Sequence, residues 1–228
     1  QSDKVHELLS IPFDHSFGLA SLRCCLLSGS RGTITQGMSN FPKVFQYILK
    51  DPITGLSLVP AGIVILRKML KLNVKRIAKE LKYFEIGSSS ICIETRIWLK
   101  KNFHSTKILH HYGMTEASRS FLKERGNRDD LRKPINEIGK VIDGCKFKIL
   151  YDNRFKKNNF GELMISGKNL FSRYLNKNDM KNKFFQSWYK TGDICRIKNG
   201  NVLLLGRIDN MFNIGGNKVL GDEIEDIM

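Results

Sequence analysis

The sequence lacks the features that would place it in several common classes. No apolar stretch approaches the roughly 20 residues of a bilayer-spanning helix; the longest, such as AGIVIL at 61–66, are far shorter. Cysteine is sparse, with Cys24, Cys25, Cys92, Cys145 and Cys195 forming an odd, scattered set without a CxxC pair or a histidine-linked metal spacing. That pattern argues against a zinc site or a disulfide framework and for thiols in a reducing compartment, so a cytoplasmic location is expected. The first residue is Gln1, and no basic segment followed by an apolar core marks a secretory signal. Acidic residues are also scarce: 22 stand against 38 lysines and arginines, a formal charge of +16.

That charge lies in blocks. Residues 61–110 carry 11 basic and 3 acidic side chains, residues 146–198 carry 13 and 4, and the last thirty reverse to 2 and 5. Basic blocks concentrate polyanions, whether nucleic acid, anionic lipid or a phosphorylated small molecule. Aromatics are not interleaved with these charges as single-strand stacking requires, so the blocks read first as solvated helix and loop faces, and nucleic acid is not the expected partner. Nucleic-acid binding would show affinity falling log-linearly with salt.

What is present is an ordinary globular composition, 41% hydrophobic in 228 residues, enough for one large domain or two small ones. The first part alternates helix and strand. LRKMLKLNVKRIAKELK at 66–82 sets Val74, Ile77, Ala78 and Leu81 at helical spacing. A short apolar strand at 83–86 ends in Gly87 and three serines, and a second helix over 91–103 carries Ile93, Ile97 and Trp98 on one stripe. Ile108 and Leu109 read as another strand, with HHYGMTE at 110–116 as the loop at its carboxyl end. In an open α/β sheet ligands bind at that end, which makes 87–90 and 112–116 candidate walls of one site. Taken alone, YGMTE also fits a plain strand-to-helix connection with Thr115 as the cap. After Pro134 the period changes to two. CKFKIL at 145–150 and GELMIS at 161–166 read as strands, and Asn199-Gly200 between two apolar runs as a hairpin turn.

HHYGMTEA, then WYKTGD at 188–193, then GRIDNMFNIGGNKVLGDEIE at 206–225 occur in one collinear order, with FDHSFGL at 13–19 and FEIGSSS at 84–90 ahead of them. Together they resemble the adenylate-forming, AMP-binding superfamily of acyl-CoA synthetases, nonribosomal adenylation domains and firefly luciferase. The resemblance implies an α/β fold: part of the large N-terminal region of such an enzyme, with an α/β subdomain at 1–133 and a small β-rich subdomain at 134–206. A hinge and the beginning of a C-terminal domain follow at 207–228.

It also implies a chemistry. Members join a carboxylate to the α-phosphate of ATP, expel pyrophosphate, and let a thiol take the acyl group. The expected ligands are ATP/AMP, Mg²⁺, a carboxylic acid of fatty or aryl type, and CoA or a carrier protein's phosphopantetheine as acceptor. By resemblance Gly87, Ser88 and Ser89 form the adenine loop, and Tyr112 offers a flat face to the base while Gly113 lets backbone approach the ligand. Thr115 donates its hydroxyl to phosphate and Glu116 binds Mg²⁺; these two are the catalytic candidates. Asp193 accepts the ribose hydroxyls and Arg207 contacts ribose or phosphate. The plain alternative for Asp193 is a turn before a strand starting at Ile194. His15, Gly113 and Met114 fall at the acyl pocket, although His15 fits equally a satisfied core imidazole. Asp209 falls at the hinge, and Gly215, Gly216 and Lys218 would face CoA. His104, His110, His111 and the cysteines receive no role, and no aspartate stands out as a partner for a substrate α-amino group.

The sequence also departs from the pattern. No Ser/Thr/Gly-rich phosphate loop of the TSGTTGxPKG type precedes the first motif, and the lysine that members carry late in the C-terminal domain has no counterpart before Met228. The expected reading is therefore the central piece of a longer acid–thiol ligase, inactive or very slow by itself. The alternatives are a nucleotide- or acyl-binding remnant and a protein acting through its basic surface.

Overall fold

The computed structural model describes residues 5–35, 37, 40–70, 73–125, 131–132, 135–151, 160–214 and 217–220. The chain divides into two compact units, Gln1–Ile135 and Asn136–Met228.

In the first unit β1 (His6–Leu9), α1 (Ser16–Leu27), β2 (Arg31–Ile34), α2 (Phe41–Lys50) and β3 (Gly55–Leu58) are followed by α3 (Pro60–Leu70), α4 (Val74–Glu80) and β4 (Tyr83–Ile86). Next come α5 (Ile93–Asn102), β5 (Lys107–Tyr112) and β6 (Phe121–Arg125). Within this unit the strands lie in the order β2-β1-β3-β4-β5-β6. The first five are parallel, and β6 returns antiparallel to β5. The α/β expectation holds, and the strand order reverses between β1 and β3, where such sheets open a crevice.

Period-two alternation gives the sheet two unlike faces. One carries Leu8, Leu56, Leu58, Phe84, Ile86 and Ile108, packed with Phe41, Val44, Ile48, Ile63, Leu66, Ile77 and Leu99 from α2–α5 in one core. The alternate positions bring Glu7, Ser57, Tyr83 and Glu85 to the other. There the Ser57 hydroxyl donates to Glu7 Oε1 at 3.4 Å, and burial pushes the Glu7 carboxyl up against the opposing pull of a hydrogen bond from Tyr83. Gly55 has no side chain because a Cβ there would meet the Tyr83 ring at 2.5 Å.

The helix expected over 66–82 is two helices. α3 ends at Leu70, and Asn73 stands at the N-cap of α4 without a side-chain capping hydrogen bond. The apolar stripe itself faces the core as expected: Ile77, Ala78 and Leu81 are buried, and Val74 packs against the same core. α5 presents a different face from the one expected. Ile93 and Ile97 are 38% and 48% exposed, while Thr95, Arg96 and Leu99 are buried. The aromatic anchors set this rotation: Phe103, just past the helix, lies edge-on to Phe84 at 6.0 Å and to Trp98 at 5.2 Å. β5 runs on through His110, His111 and Tyr112, which had been expected in a loop, and the segment after YGMTE leads into β6 rather than a helix.

The second unit is β-rich. It contains β7 (Lys140–Val141), β8 (Cys145–Leu150), β9 (Gly161–Gly167), β10 (Phe184–Phe185), β11 (Trp188–Lys198) and β12 (Asn201–Arg207), then a hairpin of β13 (Met211–Ile214) and β14 (Asn217–Leu220). β11 pairs antiparallel with β9, β10 and β12, and β8 pairs antiparallel with β9. Asn199 and Gly200 turn the β11–β12 hairpin with φ of 52° and 75°, the left-handed pair that an Asn-Gly turn supplies. TGD is not a turn ahead of a strand but lies within β11. The ladder register shifts between Lys190 and Ile194 and again at Ile194/Cys195, so Thr191, Gly192 and Asp193 form a bulge, the usual way to re-aim a side chain. No helix among the described residues is long and apolar enough to cross a membrane.

The rotation of α5 is checked by equilibrium urea unfolding. Phe84→Ala is expected to cost about 3–5 kcal/mol as a large-to-small core change. Ile97→Ala should fall within about 0.5 kcal/mol of the parent.

Candidate functional site

The carboxyl ends of four parallel strands open on one cleft of about 470 Å³. Ile11 and Pro12 follow β1, Val59 follows β3, Ser88 follows β4, and Gly113, Met114 and Thr115 follow β5; His15, Ser16 and Phe17 from the start of α1 form the opposite wall. The sheet topology alone thus brings together His15, Ser88, Gly113, Met114 and Thr115, which the sequence placed in two motifs and a pocket. His15 is exposed and occupies the N-cap of α1, so the alternative of a core imidazole is corrected: its ring is solvated at the mouth of the cleft.

The turn after β5 is tight. Met114 N donates to Ala117 O at 3.1 Å and Ala117 N returns to Met114 O at 3.2 Å. A Cβ on Gly113 would lie 2.4 Å from the backbone nitrogen of Arg119, so only glycine allows the chain to fold back here. Tyr112 and Glu116 are not among the residues lining the cleft. Tyr112 packs edge-on to Phe121 at 5.8 Å, because a strand continued through 112 turns that side chain away from the cleft. Glu116 is partly exposed on the same turn. The serine loop is held from β5, where His110 Nε2 donates to the Ser89 carbonyl at 3.0 Å. Ser88 takes φ of 89° at the cleft edge, a backbone state that costs energy in a non-glycine residue and that clusters at ligand sites. Gly87 makes room for a neighbour, since a Cβ there would come within 2.3 Å of the His111 ring.

The most strongly coupled charges in this unit were not singled out in the sequence. Arg119 donates from Nε to Glu85 Oε1 at 2.6 Å and from Nη2 to Glu85 Oε2 at 2.8 Å, with Nη2 also 3.2 Å from Ser21 Oγ on α1. His111 Nδ1 lies 3.1 Å from Glu85 Oε1. Burial by itself would raise the Glu85 carboxyl, but the Arg119 hydrogen bonds and the His111 contact outweigh it and hold it at about 2. Arg119 also stands 5.5 Å over the Phe17 ring, and Phe17 meets His111 edge-on at 4.6 Å. A glutamate inside the short strand run Tyr83–Ile86 was the available signal.

The second unit carries its own polar constellation. Asp193 is buried on the β11 bulge and accepts from Arg207 Nη1 at 3.1 Å, and Arg207 Nη2 donates to Asp209 at 3.1 Å. The Thr191 hydroxyl accepts from Asp193 N and donates to Leu163 O. Glu162, also missed in the sequence, accepts from Gly192 N at 3.0 Å and lies 3.7 Å from Lys190 Nζ. Gly192, with φ of 77°, leaves room for Arg207, whose Nη2 would be 3.0 Å from a Cβ there. Three residues assigned separately in the sequence, Asp193, Arg207 and Asp209, are therefore one ion-paired group. Gly215 and Gly216 lie outside the described residues. Lys218 sits on β14 opposite Asn213, with its side chain also outside them.

The depressed Glu85 carboxyl stabilises the fold wherever it is ionised, an effect present above the unfolded value near 4.5 and lost as pH falls through about 2. The depression corresponds to something on the order of 3 kcal/mol. Urea midpoints of the parent and Glu85→Gln are expected to differ most above pH 4.5 and to converge towards pH 2; a gap that stays constant with pH would contradict this.

The model of the family described as AMP-binding enzyme matches residues 2–175. The chain is 32% identical over 199 residues to bacitracin synthase 2 of Bacillus licheniformis, an alignment covering 80% of this chain and 7% of that protein. It is 26% identical over 237 residues to the D-alanine–D-alanyl carrier protein ligase of Bacillus licheniformis, covering 94% of this chain and 44% of the ligase. Its fold superposes on O-succinylbenzoate coenzyme A synthetase from Bacillus subtilis, solved with ATP and magnesium ion, with a TM-score of 0.84 at 22% identity, covering 100% of this chain and 46% of that one. The chain thus spans less than half the length of each of these proteins. With the family model matching most of its residues and the fold agreeing throughout, the chain belongs to the AMP-binding family of adenylate-forming enzymes.

Proposed function

We propose that this chain supplies the acid-facing and part of the nucleotide-facing surface of an acid–thiol ligase. The reaction has two steps. A carboxylate oxygen attacks the α-phosphorus of ATP and the bond to pyrophosphate breaks; a thiolate, from CoA or a carrier protein's phosphopantetheine, then attacks the acyl carbon and AMP departs. Both steps bring anions together, so alignment and charge neutralisation carry the catalysis.

The observation that carries this reading is the cleft where β1, β3, β4 and β5 end, with Ser88, Gly113, Met114 and Thr115 on its rim and no aspartate or glutamate in its lining. Among the described residues, none that line the cleft sets a carboxylate against an incoming acid or polyphosphate. Thr115, exposed on the turn, donates its hydroxyl to a phosphate oxygen. Gly113 admits backbone close to the ligand, and the Ser88–Ser89 backbone borders the base, with Tyr112 behind the same strand end. In the second unit Asp193, aimed by the bulge, accepts the ribose hydroxyls. Arg207 fixes that carboxylate and exchanges its exposed partner Asp209 for a ligand oxygen when the hinge residue moves. Lys218, with Gly215 and Gly216, belongs to the thiol-facing segment.

Glu116 fits a Mg²⁺ site of the kind completed by phosphate oxygens and water. It contributes one partly exposed carboxylate beside the Thr115 hydroxyl, and no group of three or more metal-binding side chains occurs among the described residues. When bound, the ion neutralises charge on the phosphates.

The acid in this reading is fatty or aryl, and the residues lining the described cleft include no aspartate or glutamate.

Calorimetric titration with AMP tests the nucleotide site. Asp193→Ala should weaken binding by about 10- to 100-fold, the loss of hydrogen bonds to a charged acceptor. Lys75→Gln and Lys79→Gln, in a basic block away from the motifs, should bind like the parent. Parent-like affinity in Asp193→Ala would remove the ribose assignment.

A further inference from the structure

The charges around the cleft are layered. Arg119 and His111 line it, whereas Glu85 does not, so the carboxylate stands behind its two partners and the acid would meet the guanidinium first. That guanidinium is fixed from several sides. Nε and Nη2 are held by Glu85 and Nη2 also by Ser21, Phe17 lies against its face, and its own backbone is held at φ of 48°, a left-handed state uncommon outside glycine. The remaining nitrogen, Nη1, makes no hydrogen bond among the described residues, and the side chain retains 19% exposure. An arginine so pre-ordered presents its last donors in one direction and loses little entropy on binding.

We infer that Arg119 is a specificity-determining residue of the acid site, and that it selects a carboxylic acid bearing a second oxygen acceptor, keto or carboxylate, at its far end over one ending in an alkyl chain. This rests on the adenylate-site reading above. An alkyl terminus reaching the guanidinium strips water from Nη1 and returns nothing, while an oxygen restores the hydrogen bond; sites built around a polar partner reject analogues that lack it much more strongly than apolar pockets reject added groups. The Phe17 and Met114 side chains would pack along the intervening methylenes. Glu85 is a positioning residue: it holds the fork in place and touches no ligand.

The test is calorimetric titration of the full chain with AMP and with three non-hydrolysable acyl-sulfamoyl adenosines, carrying 4-oxopentanoyl, 3-carboxypropanoyl and pentanoyl groups. The parent is expected to bind at least one of the two oxygen-bearing mimics about tenfold or more tighter than the pentanoyl mimic. The double variant Glu85→Gln/Arg119→Met, which leaves no unpaired buried charge, should bring that ratio close to one, with circular dichroism reporting its folding. If the parent binds the pentanoyl mimic as tightly as both others, the selectivity is overturned while the adenylate site stands. If the folded double variant keeps the parent's ratio, the assignment to Arg119 is overturned. If neither AMP nor any mimic binds the parent, the adenylate-site reading falls and this inference with it. The parent panel decides the selectivity even if the variant does not fold.

Discussion

Much of the first unit is organised around one carboxylate that stays ionised in the fold. Glu85 keeps its charge with 13% of its side chain exposed, which is sustainable only because Arg119 gives it two short hydrogen bonds and His111 closes from the side. A buried charge left without its partner is costly, so the position of every group that supplies a partner is constrained. Arg119 lies after the β5 turn, and its reach to β4 requires that turn to close as tightly as Gly113 allows. His111 stands on β5 beside Gly87, where a Cβ would collide with its ring. Ser21 ties the same guanidinium to α1. The pair thereby joins β4, β5, the turn and α1, which form part of the cleft walls.

The unlike faces of the sheet explain why such a group can exist. The face covered by α2–α5 is apolar throughout and supplies the burial that stabilises the unit. The opposite face carries Glu7, Ser57, Tyr83 and Glu85 and is where chemistry can be placed. The second unit reaches a similar result by another route. An antiparallel strand has no natural break at which to present a carboxylate, and the bulge at Thr191–Gly192–Asp193 creates one, braced by Glu162 and Arg207.

Some of this architecture was legible in the residues. Tyr83 to Ile86 alternate and lie between a helical stripe and a glycine-serine loop, and they form β4 with those same limits. Asn199-Gly200 specified its hairpin because few other pairs adopt two successive left-handed residues. The rotation of α5 was not legible: Ile93, Ile97 and Trp98 look like a core stripe, yet the helix is set by Phe103 packing on Phe84, and that contact lies across to a neighbouring strand. The extent of β5 was obscured by its histidines, which are poor markers of a buried strand unless their partners are known.

The sequence by itself determined the class of fold and the family, since strand and helix periods are local properties and the motif residues HHYGMTE, TGD and GRID stand in a fixed order. It also pointed to Ser88, Gly113 and Thr115, which the fold brings to one cleft. Tertiary structure alone decided that Glu85, His111 and Arg119 form a single ionic group, and that Asp193, Arg207 and Asp209 form another. The physical reason is that ion pairing depends on distances of a few ångströms, which spacing along the chain does not set. Glu85 and Arg119 are 34 residues apart, and only the pairing of parallel strands brings them within a hydrogen bond.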